Sequence, residues 1–283
     1  MRTPDADLKF ETVEGFLAAR VGLPPGPLAI LLCESAVHAA SSVRRLADLG
    51  ASMVITLGET GPMPTTACPV LRIREMPDRN VAASQVNQLI DGLAGRWLLW
   101  QWNAEYFFFP FCETRKLADL TAFLSDERRR GLYTYALDLY APDMPAPDSD
   151  PTGLELWFDS SGYHAFPDAN QDLTVYGGLG WRFQEITPND MAQIGRTSLF
   201  RAERGIHLDP NLTFLEPDYR AVSCQWHHNP TGALMTLRRA RRVLAHPEFP
   251  PLRDRLLWQG STRFDWHSGQ LLELGMIEPG QWF

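Results

Sequence analysis

The chain has 283 residues, 45% hydrophobic and 21% charged, and a formal net charge of −8. This is the composition of a folded globular protein rather than a disordered one. Its acidic balance argues against a nucleic-acid ligand, because phosphate contacts need a basic footprint. The length suits one large α/β domain or two small ones. No apolar run reaches the length that spans a bilayer, and the opening MRTPDADLKF lacks the apolar core of a signal peptide. A cytoplasmic location without a transmembrane segment is therefore expected.

In chain order, the first half alternates strand and helix signals. The apolar run Leu28–Cys33 follows a Pro/Gly cluster and predicts a buried strand. A helix is expected from about 35 to 49, where Val37, Ala40, Val43 and Ala47 recur at helical steps and Gly50 supplies the C-terminal cap. Residues 52–57 (SMVITL) predict a second strand ended by Gly58, and 70–73 (VLRI) a third. Asp78 or Asn80 is expected to cap a helix whose stripe is Ala82, Val86, Leu89, Ile90 and Leu93. Residues 97–102 (WLLWQW) predict a fourth strand. This order implies mostly parallel strands with helices outside. Ligands of such sheets sit beyond the C-terminal strand ends. That rule points to Cys33-Glu34, Leu57-Gly58-Glu59 and Asn103-Ala104-Glu105.

The middle of the chain predicts a helix carrying Leu117, Leu120, Phe123 and Leu124, then a strand over 132–140. On that strand Tyr133, Tyr135, Leu137 and Leu139 fill one face and Asp138 the other. Residues 141–151 (APDMPAPDSDP) read as a loop or insertion. The second half is less regular. Residues 158–163 and 176–181 are turn-rich and aromatic, 222–226 predict a strand, and a helix is expected over 231–245 with Arg238, Arg239, Arg241 and Arg242 on its solvated face. The Gly177-Gly178-Leu179-Gly180 stretch reads as a turn, since it lacks the Lys-Ser/Thr ending of a phosphate loop. Cys33, Cys68, Cys112 and Cys224 are widely spaced, with no C-x-x-C, and read as buried thiols.

The order of these segments resembles the GT-A glycosyltransferases, in particular the bacterial family 2-type enzymes. The likeness is carried by Gly95-Arg96-Trp97 running into Asn103-Ala104-Glu105, by residues 117–124 (LADLTAFL) and by Leu137-Asp138-Leu139-Tyr140. Phe158-Asp159 with Gly162-Tyr163, Tyr176-Gly177-Gly178 with Trp181-Arg182-Phe183, and residues 224–229 (CQWHHN) complete it. It covers roughly residues 25 to 250. The fold it implies is a single GT-A-like (Rossmann-like) domain over 1–283: a mostly parallel sheet flanked by helices, a nucleotide-binding half at 25–110, and an irregular acceptor-side half at 111–283. Three positions depart from the family pattern. Cys33-Glu34 stands where an Asn-Glu is usual, Leu57-Gly58-Glu59 where a loop aspartate is usual, and Asn103-Ala104-Glu105 in place of Asp-x-Asp.

The resemblance implies a nucleotide-sugar donor, a saccharide or surface-polymer hydroxyl acceptor, and a divalent cation, Mn²⁺ or Mg²⁺. Asn103, Glu105 and His228 are the candidate metal ligands, an amide carbonyl, a carboxylate and an imidazole. Glu34, Gly58, Glu59 and Arg182 are the candidate donor-binding residues, and Arg182, Arg196 or Arg201 could neutralise a leaving diphosphate. A general base must take the acceptor's proton, and the loop acids Asp218, Asp159 and Glu216 are its candidates, in that order for the first two. Loss of the acidic motif suggests an alternative, an inactive glycosyltransferase-like module that assembles with a second copy or another protein. A third expectation, a metal-dependent hydrolase, would use His227, His228 and His267.

Overall fold

The computed structural model describes residues 7–78, 81–144, 150–167, 173–188, 193–219 and 229–282. Its strands and helices, in chain order, begin β1 (Asp7–Phe10), α1 (Val13–Ala18), β2 (Leu28–Cys33), α2 (Ala39–Asp48), β3 (Met53–Gly58), β4 (Val70–Ile73), α3 (Ala82–Gly92) and β5 (Trp97–Trp102). They continue with β6 (Glu105–Phe108), α4 (Leu117–Asp126), β7 (Gly131–Asp138), β8 (Trp157–Asp159), β9 (His164–Pro167), β10 (Leu173–Tyr176) and α5 (Gly178–Arg182). The last are β11 (Gly195–Arg201), β12 (Gly232–Thr236), α6 (Arg238–Leu244), β13 (Ser261–Arg263) and α7 (Ser268–Glu273). The protein is thus α/β, with mostly parallel strands and flanking helices.

The chain divides into two compact units. The first holds the chain up to Asn103, Cys112–Leu132, and residues from Thr197 to the 3-10 turn Pro217–Tyr219. The second holds Ala104–Phe111, Tyr133–Arg196 and the described residues 229–282.

In the first unit the strand order is β1-β4-β3-β2-β5-β11. Every neighbour pair from β1 to β5 is parallel, and β11 is antiparallel to β5. Strand β2 is buried along its whole length, without alternation. That is the pattern of a strand covered on both faces. Leu28, Ile30 and Leu32 pack with Ile55, Leu57, Leu71 and Ile73 and with Val86, Leu89 and Ile90 of α3. Each such buried side chain contributes about 1.5–3 kcal/mol relative to exposure. Helix α2 begins at Ala39, four residues later than periodicity suggests. The Asn103 amide explains the delay, since its Nδ2 donates to the Ser35 and Val37 carbonyls at 3.2 and 2.6 Å. Those carbonyls are held by the side chain rather than entering a helical ladder, and His38 takes a left-handed conformation with φ of 56°. At α3 it is Asp78 that accepts the Val81 amide at 3.1 Å; Asn80 lies outside the described residues.

In the second unit β7 and β12 are parallel and β6 runs antiparallel to β12, in the order β7-β12-β6. Here one expectation is corrected. Residues 231–245 are not one helix: Gly232–Thr236 is a fully buried strand and only Arg238–Leu244 is helical. A short continuous apolar run fits either element by periodicity. Pairing on both edges, with β7 and with β6, decides for the strand. The expectation of a solvated arginine face fails for Arg238 and Arg239, which turn onto buried carboxylates, whereas Arg242 is exposed. On β7 Tyr133 and Tyr135 share a face as expected, their ring centroids 4.8 Å apart, although both are only half-buried; Leu132, Thr134, Leu137 and Asp138 are buried. Antiparallel pairs β9–β10 and β8–β13 complete this unit. Its packing is aromatic, with Phe264 edge-on to both Phe108 and Phe158 at 5.3 and 5.6 Å between ring centroids. A second cluster joins Tyr140, Leu179 and Phe183 to Val243, Phe249 and Leu256.

The strand expected at 222–226, together with Cys224, His227 and His228, lies outside the described residues. Among the described residues no helix is long and apolar enough to cross a membrane. Gly58 ends β3 with φ of +94°, and a Cβ there would run into the Cys33 carbonyl oxygen and lie 2.7 Å from Pro77 Cδ. The Gly58→Ala variant is expected to lose about 1–3 kcal/mol of unfolding free energy. Urea denaturation checks this, and an unchanged midpoint and slope would contradict the backbone described here.

Candidate functional site

Beyond the C-terminal ends of β3 and β4 the first unit opens a cleft of about 460 Å³. It is lined by Lys9, Gly58, Glu59, Thr60, Gly61, Arg72, Ile73, Arg74 and Met76. The volume is within the range of small-molecule sites, and the location is where open parallel sheets hold ligands. Three cations face one carboxylate, so the lining is basic in a chain that is acidic overall. Arg72 is fixed at the rim by donating from Nη1 to the Gly61 carbonyl at 3.4 Å. Arg74 pairs with Glu11 at 3.2 Å, but both side chains are more than two-thirds exposed, so this pair contributes little. Of the donor-binding candidates, Gly58 and Glu59 line the cleft. Glu34, exposed after β2, is not among its lining residues. Lys9, Arg72 and Arg74 were not singled out from sequence. The available signal was an arginine interrupting the apolar run Val70-Leu71-Arg72-Ile73.

The second unit concentrates buried charge at the C-terminal ends of β7 and β12. Glu105 of β6 and Asp138 of β7 are both in register with Thr236 of β12, which places the three in one row across the strands. Glu105 accepts from Arg196 Nη2 on Oε2 at 2.5 Å and from Nη1 on Oε1 at 3.4 Å, and Arg238 Nη1 lies 3.9 Å from the same Oε1. Asp138 accepts from Arg239 at 2.9 Å and from the Leu179 amide at 2.8 Å. Its Oδ1 is buried without a hydrogen-bond partner among the described residues. Burial pushes the Asp138 carboxyl above the ordinary aspartate value, and the Arg239 guanidinium opposes the shift. Gly178 is required beside it: φ is +66° and a Cβ would meet Asp138 Oδ2 at 2.5 Å. Asp138, Arg238 and Arg239 were not site candidates, because burial of a strand aspartate is decided by strands far away in sequence.

Asp159 of β8 has 1% exposure and a full set of donors. The Tyr140 hydroxyl donates at 2.5 Å, Trp258 Nε1 at 2.7 Å, and Arg182 Nη1 at 2.9 and 3.2 Å to its two oxygens. The other arm of Arg182 donates to the Arg255 carbonyl and, at 2.8 Å, to that of Leu256. Its guanidinium also lies 5.0 Å from the Trp258 ring centroid. Burial, reinforced by the Asp159 charge, pushes the Tyr140 hydroxyl well above the usual tyrosine value, so it stays protonated and donating. Two sequence candidates, Asp159 and Arg182, thus come together as an ion pair.

The remaining candidates are dispersed. Asp218 is exposed on the Pro217–Tyr219 turn of the first unit, while Tyr219 beside it is buried and its hydroxyl is pushed up to about 12, chiefly by burial. Glu216 accepts the His207 amide at 3.2 Å. Arg201 is exposed at the end of β11. Asn103 serves the connection ahead of α2, as described above. His228 and His227 lie outside the described residues. His267 caps α7, with Nδ1 accepting from Gly269 at 2.9 Å. Among the described residues no group of three or more His, Cys, Asp or Glu side chains gathers as a metal-holding set. No protein-family model matches the chain, and no curated protein matches it significantly.

Removing Arg182 strands a buried aspartate. Arg182→Ala is expected to cost about 3–5 kcal/mol, and Asp159→Asn in the same background should recover part of the loss. Chemical denaturation of the three proteins checks this, and a loss below about 1 kcal/mol for Arg182→Ala would contradict the pairing.

Proposed function

We propose that the protein is a GT-A-like glycosyltransferase. It would bind a nucleotide-diphosphate sugar in the cleft of the first unit and transfer the sugar to a saccharide or surface-polymer hydroxyl. The observation that carries this reading is the basic cleft beyond β3 and β4. Lys9, Arg72 and Arg74 would neutralise a diphosphate through charge-assisted hydrogen bonds, and Glu59 would accept from ribose hydroxyls. In a direct displacement, the acceptor hydroxyl gives its proton to a base as its oxygen bonds the anomeric carbon, and the diphosphate leaves with the bonding pair. Asp218, exposed and at a turn, is the better of the two acids for that base, since Asp159 already accepts four hydrogen bonds.

Glu105 does not fit a divalent cation, because Arg196 holds its carboxylate with Arg238 nearby. The same observation favours a second reading, a glycosyltransferase-like module that binds ligand or partner without turnover.

Thermal unfolding with UDP and GDP, with and without Mn²⁺, separates these readings. At about one hundred times its dissociation constant, a bound nucleotide adds roughly 2.7 kcal/mol, a shift of several degrees. The transferase reading expects a shift that does not need Mn²⁺ and that Arg72→Ala weakens by about tenfold. The module reading is favoured if nucleotide binds but no sugar donor is turned over. No shift with any nucleotide would overturn the donor-binding assignment.

A further inference from the structure

Strand β9 is exposed along its whole length, although it carries two aromatic side chains. His164 and Phe166 are two residues apart and so share one face of the β9–β10 ribbon. Register places Tyr176 opposite His164, and Thr174 opposite Phe166, on that same face. Trp181 of α5 completes the group. Its ring centroid lies 5.1 Å from that of His164, 6.1 Å from Phe166 and 6.4 Å from Tyr176. The Phe166 and Trp181 planes are only 29° apart. Phe166 nonetheless keeps 46% of its surface exposed, and Tyr176 and Trp181 are half-buried.

The rings are held in place from behind. Helix α5 is fixed by its Leu179 amide on Asp138 at 2.8 Å and by Arg182 on Asp159 at 2.9 Å. Strand β10 is fixed through Val175, whose carbonyl accepts from the Ile194 amide at 2.9 Å, while the Ile194 carbonyl accepts from Ala136 of β7 at 2.7 Å. Gly177 joins the two elements, and a Cβ there would run into the Tyr163 ring.

Three features define what such a surface can hold. Its ring centroids stand 5.1 to 6.5 Å apart, in mutual contact, so a ligand lies on the rings and not in a cage between them. His164, Phe166, Thr174, Tyr176 and Trp181 include no lysine, arginine or carboxylate, and Arg182 next to Trp181 is turned onto Asp159, so a neutral ligand matches the surface better than an ion. The ring faces are apolar, but the imidazole, phenol, indole and Thr174 hydroxyl bring hydrogen-bonding groups to their edges. A purely apolar partner would cover those groups without satisfying them. A pyranose with equatorial hydroxyls has the matching pattern, a flat C–H face within a rim of hydroxyls.

We infer that His164, Phe166, Tyr176 and Trp181 form a stacking platform for a neutral saccharide. As the seat of an acceptor it rests on the transferase reading; as a saccharide site it is argued from the second unit alone.

The test is calorimetric titration of the full chain with cellotetraose, a neutral β-linked glucose oligomer, without nucleotide or metal. Binding at about millimolar is expected. Phe166→Ala and Phe166→Leu should each weaken it by about tenfold, while Phe166→Tyr should stay within about twofold, because stacking needs a ring and not apolar bulk alone. Thermal melts without ligand establish that each variant is folded. Absence of binding at about ten millimolar cellotetraose, or binding that Phe166→Ala leaves unchanged, would overturn the assignment. Tighter binding of uridine would also overturn it, by marking a base-stacking surface. So would dimerisation that Phe166→Ala abolishes, by marking a face covered by a second copy. The titration contains no nucleotide, so its failure leaves the UDP and GDP result standing, and failure of the nucleotide melts leaves the saccharide site standing.

Discussion

Burial of carboxylates under guanidiniums is the constraint on which the second unit depends. Glu105, Asp138 and Asp159 are each no more than 3% exposed. Taking a carboxylate out of water costs several kcal/mol, and only a close, well-hydrogen-bonded cation offsets it. Arg196, Arg239 and Arg182 supply that partner at 2.5 to 2.9 Å, with Arg238 adding to the first. Each pairing also fixes an element. Asp138 ties α5 through the Leu179 amide and α6 through Arg239, and Asp159 ties α5 through Arg182 and the segment before β13 through Trp258. Short helices that could not persist alone are thereby placed.

The same pairing changes what the Asn103-Ala104-Glu105 segment can do chemically. A carboxylate at a strand start is a natural cation ligand only if its charge is unspent. Here Glu105 spends its charge on Arg196, with Arg238 beyond it, and Asn103 spends its amide hydrogens on the connection before α2. The basic cleft at β3 and β4 offers a second set of cations, built on separate elements of the first unit. The cleft lining is thus basic in a chain whose net charge is −8.

Much of the first unit was legible in the sequence. Strands β2, β4 and β5 run over the residues that their apolar runs indicate, because a strand covered on both faces writes a continuous hydrophobic signal. Gly58 and Glu59 were legible as site residues through their position after β3. The second unit was read less well, for identifiable reasons. Gly232–Thr236 has no periodicity of its own and becomes a strand only because β6 and β7 flank it. Arg238 and Arg239 look like a solvated helix face until distant strands bring Glu105 and Asp138 beneath them. Sequence spacing carries no record of such pairings, since their partners lie about a hundred residues away.

Glu105 exists in this fold as the partner of Arg196. A double-mutant cycle with Glu105→Gln, Arg196→Gln and the double variant, followed by urea unfolding, measures that coupling directly. A favourable coupling of about 2 kcal/mol or more is expected, with Arg196→Gln the costlier single change because it leaves a buried carboxylate without its close cation. Additive effects, with a coupling within about 0.5 kcal/mol of zero, would contradict it and return Glu105 to the role of an independent ligand.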